Sequence, residues 1–156
     1  MKRLVRFTLP LLLTLAAGCA TAPPHSSNSL PTAAAISQAH ETSFDIAYDL
    51  GGHGEHRLTG SSPAAGAPHV ATFLEREVVD EAFINAGSYA RYLEKIVLFT
   101  QKPQRVPSQE VDCRAPYWIT LKIDGKTFTS KGCRVGDGGE FAKLVREGEF
   151  LLYSKK

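Results

Sequence analysis

The chain has 156 residues, with 18 basic and 16 acidic side chains and a formal net charge of +2. This length suffices for one ordinary domain with a real hydrophobic core. Because Lys2, Arg3 and Arg6 carry three of the positive charges, the chain beyond residue 18 has 15 basic and 16 acidic side chains. A nearly neutral domain lacks the basic field that attracts nucleic acid, so no nucleic-acid partner is expected.

The N-terminus follows the secretory pattern of a basic start, an apolar run and small residues before a cleavage point. The apolar run, residues 9–17, is shorter than the ~20 residues that a membrane-spanning helix needs. It ends in Ala17-Gly18-Cys19, which resembles the lipobox of bacterial lipoproteins, with Ala16 where that family more often has leucine. The alternatives are an ordinary cleaved signal peptide with an incidental cysteine, and an uncleaved buried helix.

The lipobox resemblance implies where the protein is located. Residues 1–18 would be removed as a signal peptide, and Cys19 would carry the acyl chains that hold the mature protein in a membrane. The next residue is Ala20 rather than aspartate, which in that family favours the outer membrane, with the domain facing the periplasm. Residues 19–42 are expected to form the anchor and a flexible tether, because they begin rich in proline and serine, with residues 33–40 a candidate short helix.

Two cysteines remain, Cys113 and Cys133. In an oxidising compartment they are expected to form a structural disulfide. The bridge would close a loop of about 20 residues and contribute roughly 3 kcal/mol in the chain-entropy account. A metal site and a redox pair are the alternatives, but the close spacing typical of those chemistries is absent.

The folded domain is expected over residues 43–156. Residues 44–48 alternate apolar with small or polar side chains, as in a half-buried strand. A glycine-rich turn and a return strand over residues 55–59 complete a first hairpin. Residues 60–68 have the composition of a loop, and residues 70–75 are predicted to form a third strand.

A helical stripe follows. Apolar residues recur at spacings of 4, 3, 4, 3 and 4, at Val79, Phe83, Ala86, Ala90, Leu93 and Val97. This period predicts a helix over residues 80–100. Gly87 interrupts the stripe and Ser88 is a good N-cap, so two helices meeting at Gly87 are the alternative.

The clearest hairpin lies near the C-terminus. Residues 117–123 alternate cleanly, Asp124-Gly125 is the preferred pair for a type I′ turn, and residues 126–130 form the return strand. This register places Leu121 opposite Phe128 and Ile119 opposite Ser130. It also directs Cys133 toward the side where Cys113 enters.

The last segment carries a helical signal. Asp137 to Glu140 has the spacing of a capping box, and Phe141, Leu144 and Val145 share one helical face. Gly148 is expected to end this helix, with residues 149–153 as a short strand or a docked tail. The fold class is therefore α+β. Two hairpins form a small antiparallel sheet, packed against one long helix, continuous or broken, and a C-terminal helix.

No catalytic constellation is visible. His53-Gly54-Glu55-His56 has its histidines three apart in a glycine-rich turn, whereas helical zinc motifs place them at i and i+4, so neither a metal nor another cofactor is predicted. Trp118 alternates with the apolar positions of its strand. It is therefore either exposed, as part of a binding surface with His53 and His56, or packed against a helix or loop.

The order of elements resembles the emfourin class of small metalloprotease inhibitors over residues 43–147. The resemblance rests on a hairpin with a Gly-Gly turn, a helix, a hairpin containing residues 117–121 and Asp124-Gly125-Lys126, and a closing helix. It implies a protease inhibitor, although the disulfide and the lipid anchor depart from that class. No inhibitory residue is transferred.

The expected function is a non-enzymatic binding module, anchored to the membrane through Cys19, for a periplasmic protein or another envelope component. A protease inhibitor is one specific form of that role. An envelope hydrolase is the competing class, and it requires a polar pocket that gathers His53, His56 or His69 with acidic residues.

Overall fold

In a computed structural model, described for residues 31–50, 54–102, 113–134 and 139–153, the chain forms a mixed α+β fold. Six antiparallel strands form one sheet in the order β4-β3-β2-β1-β5-β6, with three helices. The elements are α1 (Ala33–Ser37), β1 (Thr42–Asp49), β2 (Glu55–Ser62), β3 (His69–Leu74), β4 (Glu77–Phe83), α2 (Ala86–Gln101), β5 (Pro116–Ile123), β6 (Lys126–Cys133) and α3 (Glu140–Tyr153).

Several predicted features lie outside the described residues. These are the signal peptide, Cys19, His53 and Asp137. Within the described ranges, no helix is both long and apolar enough to span a bilayer.

Both predicted hairpins are present, as β1–β2 and β5–β6. Asp124 and Gly125 have φ values of +46° and +78°, as a type I′ turn requires. Leu121 faces Phe128, and Ile119 faces Ser130, as the sequence predicts. Asp124 also accepts hydrogen bonds at Oδ1 from the backbone N–H groups of His40 and Glu41, at 2.9 and 3.0 Å, so the turn fixes the segment that enters β1.

A third hairpin, β3–β4, was not predicted. The prediction of helix over residues 80–83 is wrong, because these residues form the end of β4. Phe83 is 72% exposed there, whereas Ala82 is buried against β3. The spacing of Val79 and Phe83 fits one helical face by coincidence. A turn in which Glu75 takes a φ of +57° sends the chain back along β3 instead.

Helix α2 begins at Ala86 and runs unbroken to Gln101. Its N-cap is Asn85, whose Oδ1 accepts hydrogen bonds from the N–H groups of Gly87 and Ser88 at 2.8 and 3.3 Å. Gly87 therefore lies in the first turn of one helix. The alternative of two helices meeting at Gly87, with Ser88 as a cap, is wrong.

Helix α3 continues through Gly148 to Tyr153, so the predicted stop and the final strand over residues 149–153 are wrong. Gly148 serves close packing instead. A Cβ added there would lie 2.4 Å from Leu58 Cδ2 on the sheet and 2.4 Å from Tyr92 Oη on α2. The missing side chain thus lets α3 lie against both neighbours at once.

All three helices contribute side chains to one core on one face of the sheet, called here the inner face. Alternate strand residues such as Phe44, Ile46 and Ile119 point into this core and are almost fully buried. Tyr117 of β5 stacks on Phe141 of α3 with ring centroids 4.1 Å apart. The apolar alternation of the strands therefore fixes which face the helices cover.

The predicted disulfide joins Cys113 to Cys133, with Cα atoms 5.7 Å apart. Cys133 ends β6 opposite Pro116, the first residue of β5. The Arg134 N–H donates to the Ala115 carbonyl at 3.0 Å just beyond the bridge. The bridge therefore fixes the segment that enters β5 against the end of β6.

We expect Gly148→Ala to lower the free energy of unfolding by about 1–3 kcal/mol, because the new methyl group overpacks the contact with Leu58 and Tyr92. Both neighbours are buried core residues that cannot move aside freely. Urea unfolding of the two proteins measures the difference. In a helix without such a contact, the same change raises stability by about 1 kcal/mol. A stabilised variant would therefore contradict the close approach.

Candidate binding surface on the outer sheet face

The face of the sheet opposite the helices, called here the outer face, carries the other half of the strand residues. Because β5 buries Tyr117, Ile119 and Leu121, its alternate residues Trp118 and Thr120 point outward. Trp118 is 48% exposed. An indole half open to solvent on a sheet face is the kind of side chain that anchors protein interfaces.

One row of outward side chains crosses all six strands. Residues directly opposite each other in neighbouring strands share a face, and the register links six of them in a single line. From β6 to β4, this central row is Lys131, Trp118, Ala47, Arg57, Phe73 and Val78. With strands ~4.8 Å apart, the row is about 24 Å long.

The side chains of the central row differ in size and polarity. Trp118 and the half-buried Phe73 flank the buried Ala47 and the charged Arg57, while Val78 at the β4 edge is 52% exposed. A row of aromatic, small and charged side chains therefore runs across a sheet face that no helix in the described residues covers.

Arg57 is the centre of a charged cluster beside this row. Its Nε lies 3.2 Å from Asp45 Oδ1 and 3.7 Å from Glu55 Oε1. The Asp45 oxygen is buried and accepts no hydrogen bond within the described residues, so the contact with Arg57 is an ion pair without hydrogen-bond geometry. Burial raises the pKa of the Asp45 carboxyl above its ordinary 3.8, Arg57 opposes this rise, and Glu55 adds to it.

Two shallow depressions open on the outer face. One of about 270 Å³ is lined by Trp118, Arg57, Asp45, Glu55, Ala47 and Thr120. The other, of about 360 Å³, extends along the small residues Ser43, Gly60 and Ser61 toward His69 and Lys122. Because both include Asp45 and Thr120, they meet at the middle of the sheet.

The histidines do not converge. His56 lies on the inner side of β2, where its ring stacks on Tyr48 with centroids 5.4 Å apart. His69 lies on the outer face, with Nε2 3.3 Å from Glu81 Oε2. The structure therefore places His56 and Trp118 on opposite faces. Within the described residues, no group of three or more His, Cys, Asp or Glu side chains is arranged to hold a metal ion.

A second surface lies between α2 and α3, on the helical side. Lys95 Nζ is 2.7 Å from Glu147 Oε2, and Lys102 Nζ is 2.8 Å from Glu140 Oε2, across a cleft of about 320 Å³. These two ion pairs join the two helices and involve four of the five charged residues that line the cleft, Lys143 being the fifth. The helical side also carries the exposed Phe150, which makes it a suitable reference surface.

Sequence reasoning identified Trp118 and missed Arg57, Phe73 and Val78. The alternation in residues 70–75 places Phe73 on the same side of the strand as Ala71, but its neighbours in space depend on the pairing of β2, β3 and β4. The β-branched Val78-Val79 pair after a turn was the available signal for β4.

No model of a known protein family matches this sequence, and no curated protein matches it closely. No activity is therefore transferred to the chain from a relative. The outer face, with its exposed indole and central charge cluster, is the feature from which a function can be derived.

We expect the carboxyl of Asp45 to titrate above 3.8, and its neighbours to move that value in opposite directions. Arg57→Met removes the attracting cation and raises the pKa of Asp45 further, whereas Glu55→Gln removes a repelling anion and lowers it. The pKa of Asp45 is measured in the wild-type protein and in both variants from the ¹³C chemical shift of its carboxyl group as a function of pH.

The raised pKa of Asp45 also determines how its contribution to folding stability changes with pH. A carboxyl whose pKa is raised by folding favours the folded state most when it is protonated, so its contribution declines as the pH rises from 3.8 through the raised value. Asp45→Asn should remove that decline. An Asp45 that titrates at or below 3.8, unmoved by either neighbour, would contradict the account of this cluster.

Proposed function

We propose that this protein is a non-enzymatic binding module, anchored by lipid on Cys19 to the periplasmic side of the bacterial outer membrane, that holds a protein or another envelope component on its outer face. The single observation that carries the binding role is a sheet face that no described helix covers, with Trp118 at 48% exposure in a row with Phe73 and Val78. Large exposed apolar side chains rimmed by polar groups mark interaction sites in soluble domains.

The chemistry of the face supports a protein ligand. Aromatic residues and arginine are the side chains most enriched at binding hot spots, and Trp118, Phe73 and Arg57 lie within one row. The surrounding rim is polar, with Asp45, Glu55 and Thr120 at the nearer depression. This combination matches the apolar centre and polar edge of a protein interface.

Two other functions are alternatives to a general binding module. Inhibition of a metalloprotease is one form of the same binding role, supported by the order of hairpins and helices. An envelope hydrolase has less support, because His56 and His69 lie on opposite faces of the sheet and form no common polar pocket. Assays of intact lipoprotein against a panel of metalloproteases distinguish an inhibitor from other binding modules.

The proposed lipid anchor is tested by the mass of the N-terminal peptide of the protein purified from membranes. We expect mass spectrometry to show a chain that begins at an acylated Cys19. A Cys19→Ser variant exported behind an ordinary cleavable leader should move to the soluble fraction, because no acyl chain remains to hold it. An unmodified Cys19 thiol, an intact Met1, or a Cys19→Ser protein that stays in membranes would contradict the anchor.

The binding role is tested with a photo-crosslinking amino acid placed at Trp118 in intact cells. We expect crosslinked adducts from this position and none from Phe150, which is exposed on α3 on the helical side of the sheet. Truncation of Trp118 to alanine should weaken binding of the captured partner by about 30-fold or more, as expected for a hot spot. Equal adduct yields from the two positions would contradict an interaction specific to the outer face.

A further inference from the structure

The two depressions on the outer face form one groove along strand β1, called here the β1 groove. Its floor is made by the outward residues of that strand, which are all short: Ser43, Asp45 and Ala47. Longer side chains stand on both sides, because Trp118 of β5 and Arg57 of β2 lie directly opposite Ala47. At ~3.4 Å per residue, the floor from Ser43 to Ala47 is about 14 Å long.

Hydroxyl groups line the β1 groove on its floor and on both walls. They belong to Ser43 of β1, Thr59 and Ser61 of β2, and Thr120 of β5. Within the described residues none of these four hydroxyls forms a hydrogen bond, whereas the hydroxyl of Thr100 in the core donates to the Val97 carbonyl. Each hydroxyl can donate one hydrogen bond and accept two, so the four together can bind a polar ligand.

The charges that line the groove balance each other. Asp45 and Glu55 are matched by Arg57 and Lys122. Arg57 contacts the two carboxylates only through Nε, at 3.2 and 3.7 Å, so its two terminal nitrogens have no partner in the described part of the chain. A strongly charged ligand of either sign would meet like charge here. The lining therefore suits an uncharged ligand that both donates and accepts hydrogen bonds.

Trp118 gives one end of the groove an apolar wall. Its indole is 48% exposed, and no other large apolar side chain of the described groove lining is exposed. The face of an aromatic ring carries negative potential and attracts C–H groups. A sugar ring offers such groups on its face and hydroxyls around its edge, which matches an indole beside a polar groove.

We infer that the β1 groove binds a linear, uncharged oligosaccharide, with one sugar ring against Trp118 and the following rings hydrogen-bonded along Thr120 and Ser43. The inference rests on the proposed function, which makes the outer face the binding surface and locates it in the periplasm. The glycan strand of the cell wall is the source of such a chain in that compartment. An oligosaccharide of two or three rings has about the length of the ~14 Å floor.

A peptide segment is the alternative occupant of the groove. A bound peptide gains most from burying several apolar side chains, and the groove offers it Trp118 alone. Phe73 and Val78, which favour a protein ligand on the central row, line neither depression. The hydroxyls and balanced charges of the groove therefore favour a carbohydrate there.

The first test follows the fluorescence of Trp118, the only tryptophan of the chain, in the full mature protein held in detergent. The probe is triacetylchitotriose, a linear trimer of N-acetylglucosamine. We expect a saturable shift of the emission to shorter wavelength, because a stacked sugar ring excludes water from the indole. The N-acetylglucosamine monomer should bind about tenfold more weakly, since it leaves the far hydroxyls unused. No saturable shift with the trimer would overturn the inference.

Two matched changes locate the bound sugar. Thr120→Val removes a hydroxyl from the middle of the groove, and Thr129→Val makes the same change at its direct neighbour on β6, which lines neither depression. Thr120→Val should weaken binding of the trimer about three- to tenfold, as expected for one lost hydrogen bond, and Thr129→Val should leave it unchanged. Equal effects of the two changes would overturn the groove as the binding site.

The source of the glycan is tested by sedimentation with purified cell-wall sacculi. We expect the mature protein and its Phe150→Ala variant to sediment with the sacculi, because Phe150 lies on α3 outside the groove. Trp118→Ala should bind the sacculi about tenfold or more weakly. Equal sedimentation of the two variants, or binding of the trimer without retention on sacculi, would contradict the cell wall as the source.

The two proposals fail separately. If a crosslinker at Trp118 captures a protein while neither the trimer nor the sacculi bind, the carbohydrate inference is wrong and the binding role remains. If the crosslinker captures nothing and no sugar binds, both are wrong.

Discussion

The structure depends on one constraint, the packing of α1, α2 and α3 on a single face of the sheet. Gly148 allows α3 to contact Tyr92 of α2 and Leu58 of the sheet, and Phe141 stacks on Tyr117 four ångströms away. The apolar residues of the strands point into the core on that inner face. The residues that alternate with them must therefore point to the opposite, outer face. An outer face that none of the described helices covers is thus a direct consequence of how the core is built.

Much of the fold could be predicted from local signals. Alternation predicted β1, β3 and β5, and the glycine-rich turn after residue 50 predicted β2 as the return strand. Asp124-Gly125 predicted the register of the last hairpin, and the cysteine count predicted the disulfide. The predictions were wrong where one sequence pattern is compatible with two different structures. Val79 and Phe83 fit a helical stripe but lie in an edge strand, and Gly148 fits a helix stop but serves close packing. Only the contacts with other parts of the fold determine which of the two structures forms.

The candidate site was less predictable than the fold. Trp118 could be assigned a side of its strand, but the central row exists only because five strand pairings are in register, and β4 was not recognised as a strand. Likewise, His56 was predicted to share a binding surface with Trp118, yet it lies on the inner face beside Tyr48. A site built across a sheet leaves no compact sequence motif.

The central claim is that the outer face is covered in the cell envelope. Oxidative footprinting with mass spectrometry tests it directly, because Trp118 is the only tryptophan and Tyr153 on α3 provides an internal reference at 75% exposure. In dilute purified protein, both side chains should be oxidised readily. In intact envelopes, Trp118 should be protected several-fold while Tyr153 remains reactive. Equal oxidation of Trp118 in both conditions would contradict the account.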